Sequence, residues 1–141
     1  MTDATSETLH IAIIGSGSGA FACAIRAAEL GARVTMVERG EVIGGTCVNV
    51  GCVPSKIMIR TAQLAHDRRH VPFEGLNTAE ADIDPLRLMQ QRERRVAELR
   101  QSKYQRIIDE QDAITLLRGE AWFDGPKSLT VRTDHGDQHI A

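Results

Sequence analysis

The stretch Leu9-His-Ile-Ala-Ile-Ile-Gly-Ser-Gly-Ser-Gly-Ala20 decides the fold class. Its first six residues form a short apolar run that ends at a glycine, which is typical of a buried strand in a parallel sheet. The small residues at 15–19 then predict a tight turn. Residues 20–30 are rich in alanine and predict a helix that ends at Gly31, and residues 33–37 predict a second strand. This order predicts a right-handed βαβ unit and an α/β fold.

The turn fits the pattern G-x-G-x-x-G/A, with Gly15, Gly17 and Ala20 at the three small positions. Gly15 permits a sharp turn, Gly17 lets the backbone approach a pyrophosphate, and Ala20 keeps the helix close to the sheet. The N terminus of the helix offers unpaired N–H groups to phosphates. Glu38 closes the second strand, where a carboxylate would hold a ribose hydroxyl. The pattern favours an adenine dinucleotide without separating FAD from NAD; the alternative is a plain glycine turn beside a solvated carboxylate.

The remaining chain predicts a loop from Glu38 to Val50, two helices and a β-rich tail. The helices are expected at about 52–69 and 84–110, the second with an interrupted apolar stripe. The tail alternates short apolar runs with turn residues and predicts strands at 113–117, 121–123 and 128–132.

We therefore expect an incomplete Rossmann-like FAD-binding domain with a βαβ start, an inserted helical pair and a C-terminal β meander. Residues 1–8 are expected to form a flexible N-terminal lead. Residues 9–141 are expected to form one partial FAD/NAD(P)-binding domain that is truncated at its C terminus.

Charge and hydropathy exclude several classes of function. The 17 Lys and Arg residues nearly balance 19 Asp and Glu residues, and the net charge of −2 gives no electrostatic case for binding nucleic acid. The first ten residues have no secretory signal pattern, and no apolar run is long enough to span a membrane. We therefore expect a cytoplasmic protein. In that reducing compartment, closely spaced cysteines are more often catalytic or metal-binding than structural.

The most informative stretch is 44–56, Gly-Gly-Thr-Cys-Val-Asn-Val-Gly-Cys-Val-Pro-Ser-Lys. Cys47 and Cys52 can close a small disulfide loop if the backbone bends, and the flanking glycines make bending easy. A helix beginning near Cys52 would favour a thiolate there, and Lys56 adds a positive charge one turn later. Zinc binding would need further ligands nearby, and two independent buried thiols would leave the glycines unexplained. The spacing favours dithiol–disulfide exchange.

Residues 44–56, with the glycine loop upstream, resemble the active-site signature of the flavin-dependent pyridine nucleotide–disulfide oxidoreductases. Within that family the cysteine segment and the following 57–60 (Ile-Met-Ile-Arg) are most similar to the mercuric reductases. The similarity extends to the helix at 94–100 and to the strand ending at 119–121. Dihydrolipoamide dehydrogenases and glutathione reductases, the alternative relatives, usually differ at Val48, Val53 or Ser55.

The resemblance implies a role for each matching position. Cys47 would be the interchange thiol on the substrate side and would bind mercuric ion together with Cys52, the charge-transfer thiol against the flavin. The positions implied to hold FAD are Gly15, Gly17 and Ala20 at the pyrophosphate, Glu38 at the ribose, Gly40 and Thr46 along the cofactor, and Lys56 near the flavin. The implied reaction passes electrons from NADPH through FAD to the disulfide, and the dithiol then reduces mercuric ion to elemental mercury.

The chain is several times shorter than whole members of this family. The resemblance also implies that the whole enzyme is a homodimer. The NADPH-binding part and the C-terminal cysteine pair of mercuric reductases are not in these residues. We therefore expect a fragment that is inactive by itself; a truncated, non-catalytic nucleotide- or metal-binding module is the alternative. Two smaller expectations are that Cys23 is a packed core thiol and that Trp122 and Phe123 pack beneath the meander.

Overall fold

The computed structural model describes residues 8–141, so the predicted flexible lead at 1–8 lies outside the described residues except for Thr8. The chain forms two compact units. We call residues up to Gly45 together with 101–141 the sheet unit, and residues 46–100 the helical unit. In chain order the elements are β1 (His10–Ile14), α1 (Ser18–Glu29), β2 (Arg33–Glu38), α2 (Gly45–Asn49), α3 (Cys52–Arg69), α4 (Pro85–Arg100), a π-helical turn (Gln101–Gln105), α5 (Arg106–Glu110), β3 (Ile114–Arg118), β4 (Glu120–Gly125), β5 (Ser128–Thr133) and β6 (Gly136–Ile140).

The sheet unit contains the predicted βαβ start. Strands β1, β2 and β3 form a parallel sheet in that spatial order, with β2 in the centre. Helix α1 buries one face against the sheet, because its apolar residues recur at a spacing of three. The helix ends at Glu29, and the chain turns away at Gly31, whose positive φ of +84° is favourable for glycine. The core of this layer consists of Phe21, Ala24, Ala27, Ala32, Val34, Met36, Ile43 and Ile114.

The meander is also present. Strands β4, β5 and β6 pair antiparallel as a separate three-stranded sheet. Leu129 and Val131 of β5 are buried with Val37 of β2 in a second core cluster. Trp122 and Phe123 do not pack beneath the meander as expected. Phe123 is 73% exposed, and the Trp122 ring lies under the Arg132 guanidinium at 5.1 Å.

The helical unit contains α3 and α4 as the inserted helical pair. Helix α3 spans the predicted residues, with Pro54 in its first turn, where a missing N–H costs nothing. The predicted loop up to Val50 is wrong in part, because residues 45–49 form the single turn α2. The predicted continuous helix over 84–110 is likewise interrupted by the π-helical turn. Among the helices of residues 8–141, none combines the length and the apolar character that a membrane span requires.

The expectation of a core position for Cys23 is wrong. The thiol is exposed, because α1 directs Phe21, Ala24 and Ala27 toward the core and Cys23 falls outside that face. Cys23 therefore serves as a reference thiol for experiments on the other two cysteines.

Candidate functional site

The glycine loop leaves β1 and enters α1 in a sharply turned conformation. Gly15 has a φ of +100°, and its N–H donates to the Val37 carbonyl at 2.7 Å. Gly17 is the N-terminal cap residue of α1, with φ −76° and ψ 176°. Ala20 is half-buried and packs against the α1 core cluster. The three predicted positions thus lie together around the N terminus of a twelve-residue helix.

The space in front of this loop is open. A Cβ atom placed on Gly15, Gly17 or Gly19 would meet nothing within 4 Å. Gly17 also has an ordinary backbone conformation, so nothing inside the described chain requires glycine at that position. A ligand phosphate that approaches the backbone and the helix N terminus does require it. The loop therefore fits the pyrophosphate of a dinucleotide.

Gly44 and Gly45 lie directly against the glycine loop. The Gly44 N–H donates to the Ser16 carbonyl at 2.9 Å, and Gly44 forms a parallel bridge with Gly17. A Cβ on Gly45 would lie 2.8 Å from the Gly17 Cα, which leaves no room for a side chain. The glycines that precede Cys47 thus also shape the glycine loop.

Both carboxylate oxygens of Glu38 accept hydrogen bonds. Ser16 Oγ donates to Oε2 at 2.5 Å, and the Gly40 N–H donates to Oε1 at 2.6 Å. Burial acts to raise the pKa of Glu38. The hydrogen bonds from Ser16 and Gly40 and the positive charge of Arg118 outweigh burial and hold the pKa below its ordinary value of 4.5. The carboxylate is therefore ionised and fixed in orientation at neutral pH.

Sequence reasoning missed two residues of this network. Ser16 is only 1% exposed, and its hydroxyl orients the acid at the end of the neighbouring strand. Arg118 faces Glu38 across the parallel ladder and donates to the Gly40 carbonyl at 2.7 Å. A polar residue between two loop glycines was a local signal for Ser16. The sequence contains no local signal for Arg118, because its position beside Glu38 depends on the pairing of β2 with β3, 80 positions further along the chain.

Replacing Ser16 with alanine is expected to raise the pKa of Glu38 and to weaken ADP binding by about 3- to 10-fold, as the loss of one typical hydrogen bond worth about 1 kcal/mol implies. Because the folded pKa lies below 4.5, Glu38 stabilises the fold above that pH, and the contribution is lost as pH falls through the folded pKa. NMR titration of the Glu38 carboxyl and of loop amides with ADP measures both effects.

The matched control is Ser18→Ala in the same loop, since the Ser18 hydroxyl bonds the Tyr104 hydroxyl at 2.9 Å and does not contact Glu38. An unchanged pKa of Glu38 in Ser16→Ala would contradict this role for Ser16.

In the helical unit, Cys47 lies in α2 and Cys52 begins α3. Both thiols are exposed. A hydrogen bond between the two side chains raises the pKa of Cys47, with burial and the charge of Cys52 acting in the same direction. The backbone of Cys52 and the positive charge of Lys56 act to lower it. The two thiols are thus close enough to interact, as thiol–disulfide exchange requires.

The other predicted positions are placed as follows. The Gly40 backbone bonds Glu38 and Arg118 in the sheet unit. In the helical unit the Thr46 side chain is exposed, and Lys56 lies one turn after Cys52 in α3. Within residues 8–141, no group of three or more His, Cys, Asp or Glu side chains is arranged to hold a metal ion.

A parallel βαβ layer with an open glycine loop and a fixed carboxylate is typical of the dinucleotide-binding class of proteins, and two neighbouring thiols are typical of proteins that exchange dithiols and disulfides. The chain belongs to the pyridine nucleotide-disulphide oxidoreductase family, whose sequence pattern matches residues 9–138. It is 53% identical to mercuric reductase from Shewanella putrefaciens over 95% of this chain and 24% of that protein. The chain is also 50% identical to mercuric reductase from Shigella flexneri, over 96% of this chain and 24% of that protein.

Among solved structures, the Cu(II) complex of the HOCl-induced flavoprotein disulfide reductase RclA from Escherichia coli superposes with a TM-score of 0.75. It is 27% identical over 95% of this chain and 26% of that protein. The chain therefore spans about a quarter of the length of these relatives. The predicted family and the predicted similarity to mercuric reductases are both confirmed.

Proposed function

We propose that this chain provides the FAD-binding loop and the redox-active thiols of a mercuric reductase, which reduces mercuric ion with electrons from NADPH. The observation that carries the proposal is the pair of exposed thiols, Cys47 in α2 and Cys52 at the start of α3, whose side chains are hydrogen-bonded. The similarity to curated mercuric reductases favours mercuric ion over the disulfide substrates of other family members. A homodimer is proposed for the whole enzyme on the resemblance alone.

For the cofactor, the fit rests on the open space at the glycine loop. Gly15 and Gly17 would expose backbone N–H groups to the pyrophosphate, and Glu38 would accept a hydrogen bond from the ribose. Gly40, Thr46 and Lys56 are proposed as further contacts. Bound FAD would supply electrons, received from NADPH, to the disulfide. The chain's own part is to hold the anionic phosphates and to keep the acceptor carboxylate ionised.

The thiols provide the substrate chemistry. Thiolates are soft ligands and select soft metal ions, and a thiol must lose its proton to bind one. Binding of one mercuric ion by Cys47 and Cys52 therefore forms two sulfur–metal bonds and releases two protons. The positive charge of Lys56 favours this loss of protons at Cys47. The exposure of both thiols leaves them accessible to an incoming ion.

Titration of the flavin-free chain with mercuric ion, followed by counting of free thiols, tests the proposal. We expect one ion to protect Cys47 and Cys52 together, with two protons released. Cys47→Ser and Cys52→Ser should each lower the affinity at least 100-fold, because a chelate of two thiolates becomes a single thiolate contact.

Cys23→Ser is the matched control, since Cys23 is also exposed but stands alone on α1. Equal losses in all three variants would contradict a paired site. An affinity that survives in Cys47→Ser would also contradict it.

A further inference from the structure

Helix α2, which carries Cys47, is a single turn that cannot be stable by itself. Two features fix its end: the Val48 side chain is only 3% exposed, and the N–H groups of Val50 and Gly51 both donate to the Thr46 carbonyl, at 3.0 and 2.8 Å. A further contact reaches the middle of the segment between the two cysteines, at Asn49.

Arg100 supplies such a contact. It is the last residue of α4, is half-buried, and donates from Nη1 to Asn49 Oδ1 at 3.0 Å across 51 positions of sequence. A cleft of about 510 Å³ lies between this segment and α4 and is lined by Val50, Pro54 and Val96 among others. Because this cleft separates the segment between the two cysteines from α4, side-chain packing alone does not fix the segment there. The Arg100–Asn49 hydrogen bond does so instead.

The shape of this segment decides how readily the thiols pair. A disulfide forms only within a narrow range of Cα–Cα distances and torsion angles, so freedom in the intervening residues lowers the effective concentration of one thiol at the other. An arginine is a suitable anchor because it remains charged at all relevant pH values and its hydrogen bonds to neutral acceptors are strong.

We propose that Arg100 is a positioning residue for the Cys47–Cys52 pair. Acting through Asn49, it holds the intervening segment in the conformation in which the two sulfurs meet, and so stabilises the disulfide relative to the dithiol. This inference rests on the proposed redox function of the pair. In the exchange reaction the two thiols give up two protons and two electrons to oxidised glutathione, which is released as two molecules of the reduced thiol.

Equilibration of the chain with glutathione redox buffers, without flavin or mercury, tests the proposal. Arg100→Gln is expected to shift the Cys47–Cys52 equilibrium about 5- to 10-fold toward the dithiol; tenfold corresponds to about 30 mV. Asn49→Ala should give a shift at least as large, and Arg100→Gln should add nothing to it in the double variant, because Asn49→Ala already removes the contact with Arg100. Arg100→Lys keeps the charge and one donor, and should recover part of the shift.

Arg87→Gln is the control, since Arg87 lies near the other end of α4 with a side chain 86% exposed. It should leave the equilibrium unchanged, and circular dichroism verifies that each variant folds. An Arg100→Gln equilibrium within twofold of the unaltered chain, or additive effects of Arg100→Gln and Asn49→Ala, would overturn the proposal. If Arg100→Gln does not fold, Arg100→Lys must still shift the equilibrium toward the dithiol, by less than the 5- to 10-fold expected for Arg100→Gln. Failure of the unaltered chain to form the disulfide would instead count against the proposed function.

Discussion

Gly45→Ala is expected to weaken ADP binding at the glycine loop more than tenfold and to lower the free energy of unfolding by about 2 kcal/mol. Gly45 has a φ of +66°, which an L side chain adopts only with strain. The added Cβ would also lie 2.8 Å from the Gly17 Cα and 3.4 Å from its N atom. Both are backbone atoms, so Gly17 has to move away from the position at which it caps α1.

ADP is the appropriate probe because it contains the pyrophosphate and ribose for which the loop is proposed. Amide NMR titration with ADP and urea denaturation measure the two effects. Gly19→Ala is the control: Gly19 lies in α1, and its Cβ would meet nothing within 4 Å, so alanine should preserve or improve stability. Unchanged ADP binding in Gly45→Ala would show that the glycine pair does not shape the loop.

Gly119→Ala is expected to lower the free energy of unfolding by about 3 kcal/mol or more, a large part of the stability of a small domain. Gly119 joins β3 to β4, and its N–H donates to the Glu38 carbonyl at 3.1 Å. A Cβ there would fall on the Arg132 carbonyl oxygen and 2.7 Å from Cγ1 of Val131, which is fully buried. A backbone carbonyl in the middle of a sheet cannot yield as a flexible side chain can.

Urea denaturation followed by circular dichroism measures this loss. Gly136→Ala separates the collision from backbone strain, because Gly136 has a φ of +109° but its Cβ would meet nothing within 4 Å. Gly136→Ala should therefore cost about 1 kcal/mol. Equal losses in the two variants would mean that the collision at Gly119 is not the cause.

The parts of the fold that follow local rules were predictable. Strand β1, the glycine turn and helix α1 follow from a short apolar run, small residues and Gly31, all within about 20 positions. Helix α3 was predicted with its observed ends, because Pro54 favours a first helical turn and the chain turns irregular near Pro72.

What depends on distant residues was not predictable. Helix α2 follows a glycine pair and is too short to form by propensity, so the sequence indicated a loop. The role of Arg118 needs the pairing of β2 with β3, and the role of Arg100 needs α4 placed beside Asn49. The exposure of Cys23 depends on which face of α1 meets the sheet, and the alanine-rich sequence leaves that face ambiguous.

If Glu38 holds a nucleotide ribose as proposed, its fixed, ionised carboxylate would also discriminate between nucleotides with and without a phosphate on the 2′ oxygen. Its oxygens accept hydrogen bonds from Ser16 and Gly40, and a ribose hydroxyl can donate a further one. A nucleotide with a phosphate on the 2′ oxygen would instead set one anion against another, and dinucleotide sites that accept such a phosphate place an arginine there. FAD has a free 2′ hydroxyl on its adenosine ribose, whereas NADPH does not. A loop that binds FAD through this carboxylate would therefore disfavour NADPH, so the two dinucleotides would not compete for one site.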